Sequence, residues 1–471
     1  MDRFGPLSPK VLFAVDGYMY RGVPHSCLDR LEGICNALPA LIATVLVPYL
    51  DPQVRRPKRN AISLYDNWIA VSSGGELIFE MFPFNHPLYV LFSSGTTGKP
   101  KGIIHGAGGT LLQHLKEHQL HVNIKSGDRI FYHTTCGWMM WNWLISALAS
   151  DATLLLYDGD PMHPKPDVLF DFAAQQHANV FGISASYLDA IRQKGVRPAD
   201  THALADLRMI LSTGSPLSPA AFDDVYDRVK RSVCVASISG GTDIISCFAL
   251  GNPTLPVFRG EIQCKGLGMD VAVFAENGRT IEGSPGELVC RSPFPSMPLG
   301  LWDDFSGEHY RETYFSRYPG VWHHGDYAEI TAHHGMIIYG RSDATLNPGG
   351  VRIGTAEIYQ QLDRVPEVLE SVAVGQQWEN DTRIILFVKL VPGMELGRDL
   401  TEHIKRTIRT LASPRHVPAK ILQVSDVPRT KSGKVSEMAV RAVIHGHTTN
   451  NLSALANPEA LEHFKNRPEL T

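Results

Sequence analysis

The stretch that decides the fold is Ser93-Ser94-Gly95-Thr96-Thr97-Gly98-Lys99-Pro100-Lys101-Gly102, and it directly follows an apolar run at residues 88–92. It supplies four hydroxyls, three glycines and two lysines. Hydroxyl and backbone N–H donors together with positive charge suit the oxygens of a polyphosphate. Glycine matters in such a loop because a Cβ would hold the main chain away from the phosphate. The segment therefore predicts a phosphate-binding loop at the end of a strand.

The loop does not fit the kinase-type pattern G-x-x-x-x-G-K-[ST]. Ser93 stands where the first glycine of that pattern should be, and Pro100 follows Lys99 in place of a hydroxyl residue. The alternative is a flexible surface loop, which this concentration of phosphate-binding residue types disfavours. A nucleotide-binding loop of another class is therefore predicted.

The composition is that of an ordinary globular enzyme. The chain has 471 residues, of which 44% are hydrophobic and 20% charged, and its formal net charge is -4. This length suits two or three domains, and the charge provides no broad cationic surface for nucleic acid. The seven cysteines form no C-x-x-C pair, which favours a reducing compartment over a disulfide framework or a zinc ribbon. The sequence contains neither an export signal nor an apolar run of about 20 residues, so no membrane span is expected.

Short β-branched runs alternate with amphipathic stretches from residue 10 to 239, which is typical of βα units around a parallel sheet. The predicted strands are 11–15, 44–47, 88–92, 129–133, 153–157, 179–183, 209–212 and 233–238. Predicted helices include 167–177 and 219–231. Because the strand at 11–15 has no earlier element to cover it, we expect the chain to be a truncated form of a longer protein.

The pattern changes twice further along the chain. From residue 250 to 338, Gly and Pro recur between short alternating pieces such as 271–274 and 287–290, which predicts a small β-rich subdomain. After Asp343 the alternation resumes, with a strand at 383–391 and a basic amphipathic helix at 400–411. The sequence therefore predicts an α/β fold, with a large domain of parallel sheets and a β-rich subdomain at residues 1–342 and a smaller α+β domain at 343–471.

Further short motifs follow the loop in a definite order. They are Gly214-Ser215-Pro216, Ser239-Gly240-Gly241-Thr242-Asp243, Gly325-Asp326, Gly340-Arg341-Ser342-Asp343, Gly350-Val351-Arg352 and Thr430-Lys431-Ser432-Gly433-Lys434. With the loop at 93–102, this series resembles the adenylate-forming ligase superfamily over nearly the whole chain. The stretches at 137–143, 212–217 and 237–248 and the tail from residue 457 are similar to those of its acetoacetate-activating members. The resemblance implies a cytosolic enzyme that uses ATP and Mg²⁺ to join acetoacetate to coenzyme A through an acetoacetyl-adenylate.

The resemblance also implies roles for individual residues. Lys434 is implied to be the catalytic lysine that bridges the substrate carboxylate and the α-phosphate, Thr242 a catalytic donor to that phosphate, and Asp243 the Mg²⁺ ligand. Asp343 is implied to be the hinge about which a mobile C-terminal domain swings. The implied ATP-binding residues are Ser93, Ser94, Gly95, Thr96, Thr97, Gly98, Lys101, Gly214, Ser215, Pro216, Asp326, Arg341 and Arg352. Asp243 stands in place of the usual Glu, and Ser237 in place of an Asp that often reads the adenine amino group.

The resemblance places the acyl pocket at Trp138, Met139, Met140 and Gly240. Gly240 occupies a position where acetate-activating relatives carry a Trp, so its small size is expected to free on the order of 150 Å² of wall for a longer acid. The aromatic and Met cluster has core packing as its alternative explanation. Butyrate and propionate stay open as alternative substrates. A truncated chain that only binds a nucleotide or a partner stays open as an alternative function.

Several histidines and cysteines could suggest other chemistry. His114, His118 and His121 share a probable helix, but no carboxylate or thiolate completes a zinc set around them. No motif ties a base to Cys136 or Cys247, so both are expected to be small core residues. We therefore expect neither a metal site at these histidines nor a cysteine nucleophile.

Overall fold

The computed structural model describes residues 3–54, 62–71, 74–93, 101–348, 353–379, 381–431, 433–449 and 452–471. The strands are β1 Val11–Val15, β2 Gly17–Tyr20, β3 Val23–Ser26, β4 Ala43–Val47, β5 Ile62–Leu64, β6 Pro87–Phe92, β7 Gly102–Gly106, β8 Arg129–Tyr132, β9 Thr153–Leu155, β10 Val180–Ser184, β11 Met209–Thr213, β12 Cys234–Ser237, β13 Ser239–Gly241, β14 Ser246–Leu250, β15 Cys264–Lys265, β16 Val271–Phe274, β17 Gly286–Cys290, β18 Gly300–Leu301, β19 Trp322–Ile330, β20 Met336–Arg341, β21 Val368–Trp378, β22 Asp381–Leu390 and β23 Lys420–Gln423.

The helices are α1 Phe4–Leu7, α2 Leu28–Ala37, α3 Tyr65–Ala70, α4 Ala107–Lys116, α5 Met139–Ile145, α6 Val168–Gln175, α7 Ala185–Gln193, α8 Pro198–Thr201, α9 Pro219–Asp224, α10 Glu308–Phe315, α11 Thr355–Leu362, α12 Arg398–Leu411 and α13 Glu437–Ile444. Helices α4 and α9 continue as π-helical turns, at Glu117–His121 and Val225–Val229. Within the described ranges, no helix has the length and apolarity needed to cross a membrane.

A five-stranded parallel sheet in the order β12-β11-β10-β8-β9 lies at the centre of the N-terminal part, and we call it the central sheet. Its strands are apolar on both faces, as in β10, whose first four residues are all buried. This is the pattern of parallel strands that are covered on both sides. Helices α6, α7 and α9 cover one face, while α5 and β14 cover the other. The carboxyl ends of the strands therefore meet at one edge, where ligands bind in open sheets of this kind.

Smaller sheets surround the central one. Strands β1, β4 and β5 form a parallel sheet, and β16, β17, β19 and β20 form an antiparallel one. In the C-terminal part, β21 pairs antiparallel with β22, and β23 runs parallel to β22. Helix α12 buries Ile404 and Ile408, one turn apart, in the same core as β22. The predicted α/β fold with a β-rich region between 250 and 338 is confirmed.

The eight strands predicted before residue 239 all form, with ends within two residues of the predicted ones. One pairing was wrong, because β6 does not join a parallel sheet but pairs antiparallel with β7. The Ser93 N–H donates to the Lys101 carbonyl at 3.2 Å, so the ends of β6 and β7 meet. A parallel crossover needs a dozen or more residues, and the phosphate loop is too short for one.

A buried carboxylate, Glu117, fixes the layer behind the site. It accepts hydrogen bonds from Trp143 Nε1 at 2.8 Å, from the Cys247 N–H at 3.3 Å and from the Ser246 hydroxyl. Gln113 also donates to it at 3.2 Å. A buried charge is tolerated only when it is hydrogen-bonded in this way. The network holds β14, and with it the β13–β14 hairpin that carries the Thr242–Asp243 motif, against α4.

Candidate active site

An ion pair between Lys101 and Asp243 lies beside the phosphate loop, with Nζ and Oδ1 3.5 Å apart. Lys101 immediately precedes β7, and Asp243 follows β13. Ser93 closes the base of the loop, whereas Ser94, Gly95, Thr96, Thr97 and Gly98 lie outside the described residues. The structure therefore brings together a lysine and a carboxylate that are more than a hundred positions apart in the sequence.

Tyr314, in α10, fixes the Asp243 carboxylate. Its hydroxyl donates to Oδ1 at 2.6 Å, and its ring stacks on Trp322 with centroids 3.9 Å apart. Burial opposes ionisation of Asp243, but the Lys101 charge and the Tyr314 hydrogen bond outweigh it and lower the pKa of Asp243. Burial, reinforced by the Asp243 charge, raises the pKa of Tyr314, so this residue stays a neutral donor. Asp243 is therefore a fixed, ionised carboxylate.

His105, in β7, holds the backbone beside that carboxylate. Its Nε2 lies 3.0 Å from the Thr242 carbonyl oxygen, so Nε2 must carry the proton. Its Nδ1 is buried and has no hydrogen-bond partner within the described residues. Burial lowers the pKa of His105 to about 4, against the smaller opposing effect of the Thr242 carbonyl. A neutral histidine thus ties the strand after the phosphate loop to the Thr242–Asp243 motif.

Asp326 and Arg341 form a second ion pair in the same cleft, with Nη1 and Oδ1 3.1 Å apart. His324 Nε2 lies 3.6 Å from the other Asp326 oxygen, and burial lowers the pKa of His324. Crowding by protein opposes the charge of Arg341, but Asp326, Asp343 and Asp243 outweigh it and raise the pKa of Arg341. Gly325 lies close to this pair at φ +79°, where a Cβ would come within 2.9 Å of the guanidinium.

Lys434 reaches this cleft from the C-terminal part of the chain. Lys434 is exposed to solvent at its surface, but the pKa of its ammonium is lowered overall. Surrounding protein is the main cause, and the Arg341 charge adds to it. The charges of Asp326 and Asp243 act in the opposite direction. The ammonium is therefore within electrostatic range of both carboxylates. The neighbouring Gly433 has φ +82°, and a Cβ there would lie 3.7 Å from Ser186 Oγ at the start of α7. The lysine loop thus rests on the N-terminal part of the chain.

Gly214, Ser215 and Pro216 form the turn after β11, at the carboxyl edge of the central sheet. Gly214 has φ +99°, a conformation that favours glycine, and Ser215 and Pro216 are exposed. A Cβ on Gly214 would lie 4.0 Å from Cζ2 of Trp138. The turn predicted to bind ATP and the first predicted pocket residue are therefore neighbours.

The predicted pocket residues differ in their surroundings. Trp138 is half-buried, whereas Met139 and Met140 are buried and only 9% and 1% exposed. Both methionines belong to the apolar core between the central sheet, α5 and β14. Core packing, the alternative explanation for this cluster, therefore describes Met140 in the structure as it stands.

Gly240 does not open space in the way the sequence suggested. It pairs with Cys247 across the β13–β14 hairpin, and a Cβ would lie 2.0 Å from the Ser246 carbonyl oxygen and 2.6 Å from the Cys247 Cα. The direction in which a side chain would point is thus filled by the backbone of β14. The glycine permits close approach of two strands, and the expected gain in pocket wall is not present there.

The Arg341 to Ala344 segment links the two parts of the chain. Asp343 lies in a 3-10 turn at Ser342–Ala344, and its Oδ1 is 3.8 Å from Arg341 Nε. The Ser342 hydroxyl donates to Glu287 Oε2 at 2.5 Å. Glu287 is buried and also contacts Arg317 and His323, each at 2.9 Å. Arg352, the last predicted ATP-binding residue, lies outside the described residues.

The cleft can supply one protein ligand to Mg²⁺. The Tyr314 hydroxyl donates to Oδ1 of Asp243, which also faces Lys101, and Oδ2 accepts no hydrogen bond within the described part of the chain. Mg²⁺ at nucleotide sites commonly takes only one or two carboxylates, with phosphates and waters as its other ligands. An ionised carboxylate with one open oxygen fits that requirement. In the described ranges, no group of three or more His, Cys, Asp or Glu side chains is arranged to hold a metal ion. His114, His118 and His121 therefore form no such group.

Comparison with known proteins agrees with this geometry. A model of the AMP-binding enzyme family matches residues 9–302, and one of the AMP-binding enzyme C-terminal domain matches residues 357–434. The chain belongs to the AMP-binding enzyme family. It is 56% identical to an acetoacetyl-coenzyme A synthetase of Rhizobium meliloti and 45% identical to that of Rattus norvegicus, with all of this chain aligned to 72% and 71% of theirs. A solved acetoacetyl-CoA synthetase from Streptomyces lividans superposes with a TM-score of 0.92 at 40% identity, over 98% of this chain and 71% of that one.

Family membership confirms the resemblance that the ordered motifs predicted. The roles of individual residues and the division at Asp343 stay predictions. Sequence reasoning missed Tyr314, His105 and His324, all of which contact the motif residues. No motif could have pointed to Tyr314, since it lies 71 residues after Asp243 and meets it only through packing.

Proposed function

We propose that this AMP-binding enzyme ligates acetoacetate to coenzyme A in two steps. In the first, the acetoacetate carboxylate attacks the α-phosphate of ATP, which forms acetoacetyl-adenylate and releases pyrophosphate. In the second, the thiol of coenzyme A attacks the acyl carbon, which forms acetoacetyl-CoA and releases AMP. High identity to proteins named as acetoacetyl-CoA synthetases supports this substrate.

One observation carries the proposal for the first step. The ion pairs of Lys101 with Asp243 and of Asp326 with Arg341 join distant parts of the sequence, and Lys434 lies within electrostatic range of both carboxylates. The meeting of a carboxylate with a triphosphate brings two anions together, so that step requires fixed positive charge at the place where negative charge develops. Two lysines and an arginine supply it here.

We assign roles within this cleft as follows. The Lys434 ammonium bridges the attacking carboxylate and the α-phosphate, and Thr242 donates to that phosphate. Lys101 and the loop from Ser93 bind the outer phosphates, and Asp326 binds the ribose hydroxyls beside Arg341. Asp243 offers its free oxygen to Mg²⁺, which when bound neutralises phosphate charge. The Gly214 turn flanks the adenine end of the site, and Trp138 flanks the acyl end.

The second step requires the lysine loop to leave and the thiol to enter. We propose that residues 343–471 rotate about Asp343 to allow this. Hinge movements of this kind can open an active site to one reactant after it has been closed around another. The ion pair between Arg192 and Asp363 joins the two parts and stabilises the orientation seen here.

The test separates the two half-reactions. Wild-type chain with ATP, Mg²⁺ and acetoacetate should release pyrophosphate, and addition of coenzyme A should give the thioester. Lys434→Ala should reduce pyrophosphate release about 10²- to 10³-fold, as expected for loss of a preorganised transition-state donor. Lys431→Ala, in the same loop, is the matched control and should leave it unchanged. Unchanged release in Lys434→Ala would contradict the role of Lys434.

The acid is tested in parallel. Acetoacetate should give a higher kcat/KM than butyrate or propionate in the thioester assay. Equal or better turnover of butyrate would replace acetoacetate as the proposed substrate, without affecting the proposed chemistry.

We also propose a cytosolic location. All seven cysteines are free thiols, which suits a reducing compartment. Fractionation of cells that express the chain would test this, and recovery with exported proteins would contradict it.

A further inference from the structure

A buried hydroxyl without a partner lies beside the predicted acyl pocket. Tyr132 ends β8, at the carboxyl edge of the central sheet, and is 2% exposed. Its hydroxyl has no hydrogen-bond partner within the described residues. Most buried polar groups in proteins are hydrogen-bonded, and an unpaired one costs free energy. A phenol in this position therefore calls for an explanation.

The surroundings of Tyr132 coincide with the predicted pocket. Its ring makes edge contacts with Trp138 and Trp143, at centroid distances of 6.0 and 6.1 Å. Met139 and Met140 lie between these tryptophans in the sequence and share the same buried core. Trp138 in turn abuts Gly214, in the turn assigned to the nucleotide. The phenol ring thus contacts Trp138 and shares a core with Met139 and Met140, the residues that the resemblance assigns to the acyl group.

The orientation of the ring is fixed. Tyr132 lies opposite Gly182 in β10, where a Cβ would come within 2.0 Å of the Tyr132 Cδ2. The ring therefore packs directly over the glycine, on the face of the sheet that α5 and β14 cover. His118 also has unpartnered ring nitrogens, but its ring contacts His114 and Trp143 rather than Trp138. Tyr132 is the better placed of the two donors.

We propose that the Tyr132 hydroxyl donates a hydrogen bond to the 3-oxo oxygen of the acid and so selects a β-keto acid. This inference rests on the proposed function and names the feature of the substrate that the site reads. The 3-oxo group is only two carbons from the carboxylate, so its partner has to lie close to the Trp138 and Gly214 wall, as Tyr132 does. A site built to hydrogen-bond a substrate group disfavours an analogue that lacks the group, because the site's donor is then left unpaired.

The experiment compares Tyr132→Phe with wild type on acetoacetate and on butyrate, which has the same carbon chain without the oxo group. Loss of one neutral hydrogen bond should lower kcat/KM for acetoacetate about 3- to 10-fold. The value for butyrate should stay the same or rise. An equal fall for both acids, or no change for either, would overturn the proposal. Wild-type chain that forms no acetoacetyl-CoA would instead contradict the proposed function itself.

Tyr187→Phe is the matched control. Tyr187 is also buried, but its hydroxyl donates to the Pro166 carbonyl at 2.9 Å on the opposite face of the central sheet. That variant should lower thermal stability and leave the ratio of the two kcat/KM values unchanged. Tyr132→Phe should not lower thermal stability, since it removes a hydroxyl that makes no bond in the free protein. A drop in its melting temperature larger than that of Tyr187→Phe would show that the hydroxyl has a structural partner and would overturn the assignment.

Discussion

The Tyr314 hydroxyl donates a 2.6 Å hydrogen bond to the same Asp243 oxygen that faces Lys101. The second oxygen of the carboxylate accepts no hydrogen bond within the described residues. The tyrosine and the lysine also keep Asp243 ionised in a half-buried position. The orientation of the proposed Mg²⁺ ligand is therefore set by a residue outside every recognised motif.

Tyr314→Phe should weaken this arrangement. A hydrogen bond to a charged group contributes about 1.5–3 kcal/mol, so we expect about a 10-fold or greater rise in the Mg²⁺ concentration needed for half-maximal pyrophosphate release. Titration of Mg²⁺ at fixed ATP measures this. Tyr310→Phe is the control, since its ring contacts Tyr314 with centroids 5.3 Å apart. An identical Mg²⁺ dependence in Tyr314→Phe would show that the hydrogen bond does not position Asp243.

His105 should act through hydrogen bonding and not through charge. His105→Leu removes the donor to the Thr242 carbonyl, and we expect adenylate formation to fall about 5- to 10-fold with a raised KM for ATP. His105→Gln places an N–H at a similar reach and should recover most of that loss. Because the pKa of His105 lies at about 4, neither effect should change between pH 6 and 9. Equal impairment by Gln and Leu would point to packing alone.

Contacts between α7 and the C-terminal part should favour the adenylate-forming orientation. Arg192 Nη2 lies 3.4 Å from Asp363 Oδ1, and Gln193 donates to the Leu369 carbonyl at 3.3 Å. A partly exposed ion pair contributes up to about 1 kcal/mol, so Asp363→Ala should lower pyrophosphate release by at most about 5-fold. Thioester formation from supplied acetoacetyl-adenylate should stay unchanged or rise. Arg197→Ala breaks pairs within the N-terminal part only and serves as control. Equal loss in both half-reactions would contradict this role.

The carboxylates around Arg192 should make stability depend on pH. Burial, followed by the Asp363 charge, raises the pKa of Asp189 from 3.8 to about 6. The fold thus favours neutral Asp189, and that contribution is fully present below about pH 4 and is lost as the pH rises through 6. Asp189→Asn should therefore stabilise the protein at pH 7.5 by about 1 kcal/mol, a value reduced because 35% of the side chain is exposed. Denaturation at pH 7.5 and 4.5 measures the difference, and a gain that is the same at both values would argue against Asp189 as the source.

Local patterns allowed most of the strands and the motif order to be predicted. Apolar runs of four to six residues predicted the eight strands before residue 239, although β1 and β6 contain no buried residue, and each motif is contiguous in sequence. The pairing of β6 with β7 was missed because a strand's partner depends on loop closure and not on its own composition. Tyr314, His105 and Glu117 were missed because their partners lie far away in the sequence. The space around Gly240 was misjudged because the direction of a missing Cβ depends on strand pairing, which its neighbours in sequence do not reveal.

Glu287 holds Ser342 in place together with Arg317 and His323. The chain is therefore anchored immediately before Asp343 on β17, a strand of the four-stranded sheet formed by β16, β17, β19 and β20. A swing of the later residues would leave Ser342 where it is, and the backbone torsion would fall on one or two peptide units after it. In the proposed movement the linker would be fixed on its N-terminal side by Ser342, and this anchor would give the rotation a definite axis.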